Sequence, residues 1–258
     1  RTSLTIMLLV ALLVLGGEFM LAGLKNDGAK TYLEKCKQLF GNGGTQKQGP
    51  VYFGAFEKTG AIATEAMLDD RNYAQLRLVQ TETLNFFSKP GVFGWGRVDE
   101  GSALLISALE SFLLRQKYQP QSLLDLGCGY GYLTLMTRHL PLARRVATDN
   151  CSAALLALRA NAEHYVMAVD VVASDAGNTV QDAVDLIVCN PPFHRGFTIA
   201  GDLTETFLQQ AARLLTPSGV AIFVVNAFIP LEQTAAHIFS VTERLAHNRS
   251  YKVLALRK

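Results

Sequence analysis

Two short stretches combine residue types that could do chemistry. The first is Leu123-Leu-Asp-Leu-Gly-Cys-Gly-Tyr-Gly131. Apolar residues and one aspartate run into three alternating glycines, and Tyr132 to His139 follows with apolar residues at helical spacing. That order predicts a buried strand, a tight turn and a helix. Glycine suits backbone at positive φ, or backbone that a ligand must approach without a Cβ in the way. A cofactor is therefore expected at this turn, against Asp125, Gly127, Cys128, Gly129 and Gly131. A nicotinamide dinucleotide is one candidate. The glycine positions miss the G-x-G-x-x-G register of the dinucleotide fingerprint, and Asp125 lies inside the strand end. Both features favour S-adenosylmethionine (SAM), which has no pyrophosphate to place at a helix start.

The second stretch is Val184-Asp-Leu-Ile-Val-Cys-Asn-Pro-Pro-Phe-His194. A buried strand runs into Asn190-Pro191-Pro192-Phe193. The prolines end the strand and stiffen the turn, which fixes the directions of the Asn190 and Pro191 carbonyls. Between the two stretches, Arg145 to Asp149 reads as a second strand, ending in an acid 24 residues after Asp125. A carboxylate there can accept hydrogen bonds from both hydroxyls of a ribose. Val169 to Ala173 reads as a third strand leading to Ser174-Asp175, where Asp175 is an acceptor for an adenine amino group. The neighbouring Asn150 and Ala176, together with Asn190, complete the expected cofactor set.

Other elements must position these groups. Residues 1–15 read as a buried helix, Glu18 to Leu24 as a strand, and Asp27 as the cap of a helix through Leu39. Tyr32, Leu33, Cys36, Leu39 and Phe40 fall on one side of that helix. Gly41 to Thr45 reads as a loop and Val51 to Phe56 as a strand, the whole resembling part of an open α/β sheet without a glycine fingerprint. Leu76 to Phe87 supplies strands or a link. Ser88 to Arg97, rich in glycine and aromatics, is an irregular loop, either a plug or a lid. Asp99 caps a helix over Glu100–Arg115 beside the central strand. Ser152 caps the helix after Asp149, and Asp202 to Leu215 is amphipathic. Val220 to Val225, a helix through Phe239, and Tyr251 to Leu256 complete the sheet. The expected organisation is a partial N-terminal domain over 1–80, structural or for substrate docking, and a catalytic domain over 81–258.

Composition sets limits. The chain has 258 residues, 49% hydrophobic and 18% charged, enough for a sizeable core. Lys and Arg number 24 against 22 Asp and Glu: nine against seven in 1–80 and fifteen against fifteen in 81–258. Nothing global attracts nucleic acid, so any RNA must use a local patch. Arg244, His247, Arg249, Lys252, Arg257 and Lys258 make one basic concentration, read as a solvated face. Cys36, Cys128, Cys151 and Cys189 lack metal-site spacing and read as reduced thiols in a cytoplasmic protein. No metal is expected. Leu4 to Leu15 is too short to span a bilayer, and no membrane partner is expected. Arg1 in place of Met implies a fragment or processed product.

Asp-Leu-Gly-Cys-Gly-Tyr-Gly, Asp149 and Asn-Pro-Pro-Phe-His together resemble the class I SAM-dependent methyltransferases. Pro90-Gly-Val-Phe93, Asp99-x-Gly101-Ser102, Asn190-Pro-Pro-Phe-His194 and Asn226-Ala-Phe-Ile-Pro230 are similar to the bacterial small-subunit (16S) rRNA guanine-N2 methyltransferases. The match covers about 88–258 and is looser over 1–80, where the family's first domain is longer. The resemblance implies an α/β fold: a Rossmann-like methyltransferase sheet with flanking helices, preceded by a degenerate methyltransferase-like domain without cofactor. It also implies SAM as cofactor and small-subunit rRNA or the 30S particle as substrate; the oligomeric state is open, with a monomer favoured.

The substrate chemistry agrees with that resemblance. A guanine exocyclic amine is a poor nucleophile because its lone pair is conjugated into the ring. The Asn190 side-chain oxygen and the Pro191 carbonyl can accept its two N–H hydrogens, turning the lone pair toward the methyl. Phe193 stacks on a base that has left any helix, and Phe93 and His194 are further substrate contacts. Asn190, Pro191, Pro192 and Phe193 are the expected catalytic set, acting by positioning and electrostatics without a strong general base. Large-subunit guanine-N2, adenine-N6 and protein glutamine-N5 methylation share this planar-NH2 chemistry. A different class of alternative is a non-catalytic RNA-binding assembly module that kept the fold.

Overall fold

The computed structural model describes residues 2–62, 75–192 and 197–258. Its contacts divide into two compact units, Arg1–Gln75 and Leu76–Lys258.

In the first unit, α1 (Thr2–Leu12) and β1 (Glu18–Leu24) are followed by a short 3-10 turn, Lys25–Asp27. Then come α2 (Ala29–Phe40), β2 (Gly44–Gln48) and β3 (Val51–Glu57). The strands pair antiparallel in the order β1-β3-β2. α1 is shorter than expected, and among its described side chains Ile6 and Val10 face the core while Leu9 and Leu12 are exposed. The Lys58 ammonium donates to the Val10 and Leu13 carbonyls at 2.9 and 2.7 Å. A cation there satisfies carbonyls that have no partner within the helix. Gly28 at φ 79°, not Asp27, is the N-cap of α2. The helix side foreseen in the sequence is the buried one, where Phe40 stacks on Phe19 and Phe56 at 5.6 Å each. Gly44 and Thr45, expected in a loop, begin β2 instead.

The second unit opens with a two-stranded ribbon, β4 (Arg77–Val79) and β5 (Phe86–Ser88). α3 (Glu100–Gln116), β6 (Ser122–Leu126), α4 (Tyr132–Met136), β7 (Arg144–Asp149), α5 (Ser152–His164) and β8 (Asp170–Ala173) follow. The chain continues through β9 (Val184–Cys189), α6 (Phe197–Leu214), β10 (Leu215–Asn226), α7 (Leu231–Ala235), β11 (Val241–His247) and β12 (Tyr251–Arg257). Among the described residues one seven-stranded sheet forms, in the order β11-β12-β10-β9-β6-β7-β8. β6 to β10 run parallel, and β12 lies antiparallel between β10 and β11.

The apolar runs of the central strands are continuous because both faces of the sheet are covered. Leu123, Val188, Ile222 and Val253 point toward the layer containing α3. Leu124, Ile187, Phe223 and Leu254 point toward α6 and α7. α3 lies against β10 and β12 rather than beside β6. Two helix ends also differ from expectation. Cys151 caps α5 in place of Ser152, and α7 stops at Ala235, short of Phe239. No described helix is long and apolar enough to cross a membrane.

From β6 the chain winds outward to β7 and β8, then returns to the other side of β6 as β9. In open α/β sheets, ligands bind beyond the strands' carboxyl ends at such a reversal. The ends of β6, β7, β8, β9 and β10 carry Leu126, Asp149, Ala173, Cys189 and Asn226 respectively. The glycine turn and the Asn-Pro-Pro turn therefore leave adjacent strands on the same edge.

Candidate active site at the carboxyl edge of the sheet

The turn after β6 is laced to β7. Gly127 N and Cys128 N donate to the Thr148 carbonyl at 2.9 and 2.8 Å, and Gly131 N donates to the Cys128 carbonyl at 2.8 Å. The glycines serve different ends. A Cβ at Gly131, at φ 95°, would stand 2.4 Å from Leu158 Cδ1, so this position sets how closely the turn packs on α5. Gly129, at φ 56°, has open space where its Cβ would be. It is the point at which a ligand can approach bare backbone.

Asp125 is fully buried, and its Oδ2 accepts from the Thr134 amide at 2.9 Å and the Thr134 hydroxyl at 2.6 Å. Its Oδ1 has no partner. Burial raises this carboxyl from the ordinary 3.8 to about 7, against the lowering effect of the Thr134 hydrogen bonds and with a further push from Asp149. In the unfolded chain Asp125 ionises near its ordinary value; in the fold it keeps its proton until about pH 7. Between those values the unfolded state binds fewer protons, so this residue's stabilising contribution is full at low pH and falls as pH rises, by up to about 1.4 kcal/mol per pH unit. Asp125→Asn removes the titration. Urea unfolding of the cofactor-free chain should show the variant gaining on wild type from pH 5 to pH 7.5. A constant difference would mean that Asp125 ionises as it does in water.

Asp149 bridges the turn and the next helix: Oδ2 accepts from Gly129 N at 2.9 Å and Oδ1 from Cys151 N at 2.8 Å. Each oxygen keeps a lone pair for a further donor. Asn150 donates from Nδ2 to Asp175 Oδ1 at 3.0 Å, joining the ends of β7 and β8 at an exposed position. Ala176 is buried with φ 46°. Cys128 and Cys189 are buried thiols whose pKa values burial pushes well up, which keeps them protonated.

Four buried side-chain atoms around the glycine turn lack partners: Asp125 Oδ1, Tyr130 Oη, Thr148 Oγ1 and Ser88 Oγ. Buried polar atoms left without partners are uncommon and call for a ligand or solvent. A polar cofactor at this edge fits them.

Asn190 lies just beyond β9. Its Nδ2 donates to Asp99 Oδ2 and to Ser102 Oγ, both at 2.9 Å. Asp99 is also the N-cap of α3, and the same Oδ2 accepts from Ser102 N at 2.8 Å. Pro191 is buried and Pro192 exposed. Phe193 and His194 lie outside the described residues. Asp99 was legible as a cap, but nothing in the local sequence ties it or Ser102 to a residue about ninety positions away.

The loop after β5 is a plug and an outward-facing segment at once. Val92 is buried, Trp95 packs on the core with the Arg77 guanidinium 5.6 Å from its ring, and Phe93 is 52% exposed. Buried Asn161 of α5 fastens the base of this loop to the glycine turn. It accepts from Phe87 N at 2.6 Å and donates to the Phe87 and Tyr130 carbonyls at 2.9 Å each. The basic concentration near the last strands is not uniformly solvated. Lys252 is buried and pairs with Glu232, while Arg257 lies 3.8 Å from Glu243 and over the Phe112 ring.

Residues 83–255 match the sequence model of the methyltransferase small domain. A "Ribosomal RNA small subunit methyltransferase C" from Hahella chejuensis is 37% identical over 182 residues, covering 69% of this chain and 51% of the relative. The protein of that name from Proteus mirabilis is 27% identical over 252 residues, covering 95% of this chain and 69% of the relative. The chain thus spans about half to two thirds of the length of these relatives. Among solved structures, the T. thermophilus 16S rRNA N2 G1207 methyltransferase, in complex with AdoMet and guanosine, superposes with a TM-score of 0.84 at 29% identity. That superposition covers 99% of this chain and 68% of the other.

Proposed function

We propose that this chain, which belongs to the methyltransferase small domain family, transfers a methyl group from SAM to the exocyclic N2 amine of a guanine in small-subunit rRNA. The observation that carries this reading is the side-chain amide of Asn190. Its N–H groups are engaged by Asp99 and Ser102, which leaves its carbonyl oxygen as the group available to an acceptor. A carbonyl placed there accepts a hydrogen bond from an N–H of a planar NH2, as it would from another N–H or O–H donor, and offers nothing comparable to a carbon acid.

SAM supplies an electrophilic methyl when bound. Gly129 offers it bare backbone, Asp149 offers carboxylate lone pairs to its ribose, and buried Asp125 holds the turn through Thr134. Asp175 beyond β8, joined by a hydrogen bond to Asn150 beyond β7, stands where the adenine would lie. Asn190 Oδ1 and the Pro191 carbonyl accept the amine's two N–H groups and turn its lone pair out of conjugation. The acceptor nitrogen becomes cationic on methylation and then loses its proton to solvent, so these neutral acceptors suffice. Phe93, half exposed on its loop, would offer RNA an aromatic face. The first unit, with no glycine turn of this kind, is read as a substrate-docking or structural element.

The test is transfer of labelled methyl from SAM to unmodified small-subunit particles, large-subunit particles and protein extract in parallel. N2-methylguanine in small-subunit RNA is expected. Label as N6-methyladenine, in large-subunit RNA or in protein would displace the substrate assignment.

A further inference from the structure

We infer that Asp99 and Ser102 are positioning residues for methyl transfer: they lock the Asn190 amide in the one orientation that presents a carbonyl oxygen to the acceptor amine. The inference rests on the function proposed above. A side-chain amide has two faces of opposite polarity, and a half-turn about its last bond exchanges acceptor for donors. Next to a substrate NH2 the wrong face sets donor against donor, and the amine loses a hydrogen bond when its lone pair must be freed.

The surroundings of Asn190 decide between the faces. An ionised carboxylate accepts hydrogen bonds and donates none. With Asp99 Oδ2 at 2.9 Å, the atom facing it must be the nitrogen. Ser102 Oγ, also at 2.9 Å, could serve as donor or acceptor, so it adds to the lock without setting its direction. Asp99 is itself immobilised as the N-cap of α3 through the Ser102 amide at 2.8 Å. Gly101 keeps that first turn close to β12, since a Cβ there would meet the Tyr251 ring at 2.9 Å. The helix start is thus a fixed template against which the catalytic amide is read.

Asp99→Gly separates this role from capping, because Gly is tolerated at an N-cap nearly as well as Asp. The oxygen that caps α3 is the one that faces Asn190, so its removal takes away the lock while the start of the helix is largely kept. kcat should fall by about 10- to 100-fold, less than the 10²–10³-fold for outright loss of a transition-state hydrogen bond. SAM Kd should stay near wild type and Tm should fall only slightly. Ser102→Ala should lower kcat less, and Glu100→Gln, an exposed neighbour, should be unchanged. A second readout needs no methyl acceptor: hydrogen exchange at the Asn190 side-chain 15NH2, assigned by its absence in Asn190→Ala. It should be slow in wild type and fast in Asp99→Gly. A slow amide in Asp99→Gly overturns the inference, as does a loss of kcat that tracks loss of SAM affinity and Tm. If exchange behaves as expected and small-subunit RNA accepts no methyl, the substrate proposal fails and the amide lock stands.

Discussion

Asn190→Ala is expected to lower methyl transfer by at least about 10²–10³-fold, the scale of losing one preorganised hydrogen-bonding group at a reacting centre, while SAM Kd changes by less than about twofold. The asymmetry follows from what the side chain touches. Its nitrogen is held by Asp99 and Ser102, and its oxygen is the part left for an acceptor amine. Truncation removes the acceptor and leaves the cap of α3 in place, since Asp99 still binds Ser102 N. Single-turnover transfer alongside calorimetric SAM binding separates the two effects. Wild-type transfer by the alanine variant would remove Asn190 from the chemistry. A large loss of SAM affinity would make it a cofactor residue first.

The complementary result is expected from Asp149→Ala: SAM Kd rises roughly 100-fold, and kcat at saturating SAM changes much less. Two losses combine. The carboxylate no longer receives the ribose hydroxyls, and Gly129 N and Cys151 N lose acceptors at 2.9 and 2.8 Å that shape the turn. Hydrogen bonds to a charged group contribute about 1.5–3 kcal/mol each, so losing one or two accounts for that rise in Kd. Asp149→Asn keeps one acceptor oxygen and should fall between. SAM titrations across the three proteins check the order. An unchanged Kd in the alanine variant would confine Asp149 to holding the turn.

The central strands were legible because they are covered on both faces: Val184–Cys189 and Leu123–Leu126 read as apolar runs broken only by Asp185 and Asp125. β2 and β11 carried no such signal. Every residue of Gly44–Gln48 is exposed, and the strand exists through its pairing with β3. Val241–His247 mixes charge and apolar residues on a sheet edge, paired with β12 and flanked by α3. Caps differed for a local reason. Asp27 and Ser152 are both good capping types, but Gly28 takes the left-handed conformation that starts α2, and Asp149 receives the Cys151 amide ahead of α5. The glycine turn, the acid ending β7 and the Asn-Pro-Pro turn announced themselves through spacing. Thr134, Asn161 and Ser102 did not, because each is a polar residue within a helix whose significance lies in partners from other segments. Asn161 reaches Phe87, 74 positions away, and Ser102 reaches Asn190, 88 away.

The antiparallel placement of β12 has a consequence for synthesis. β10 and β11 are made first, yet among the described residues β11 pairs only with β12, and β12 must enter between them. Until residues 251–257 have been translated, β10 is an open edge, with the apolar run Val220–Val225 already complete. An unpaired apolar edge of that kind is a template for strands from other chains. The nascent protein therefore carries this hazard of aggregation until Tyr251–Arg257 are made, and those seven residues remove it by filling the gap.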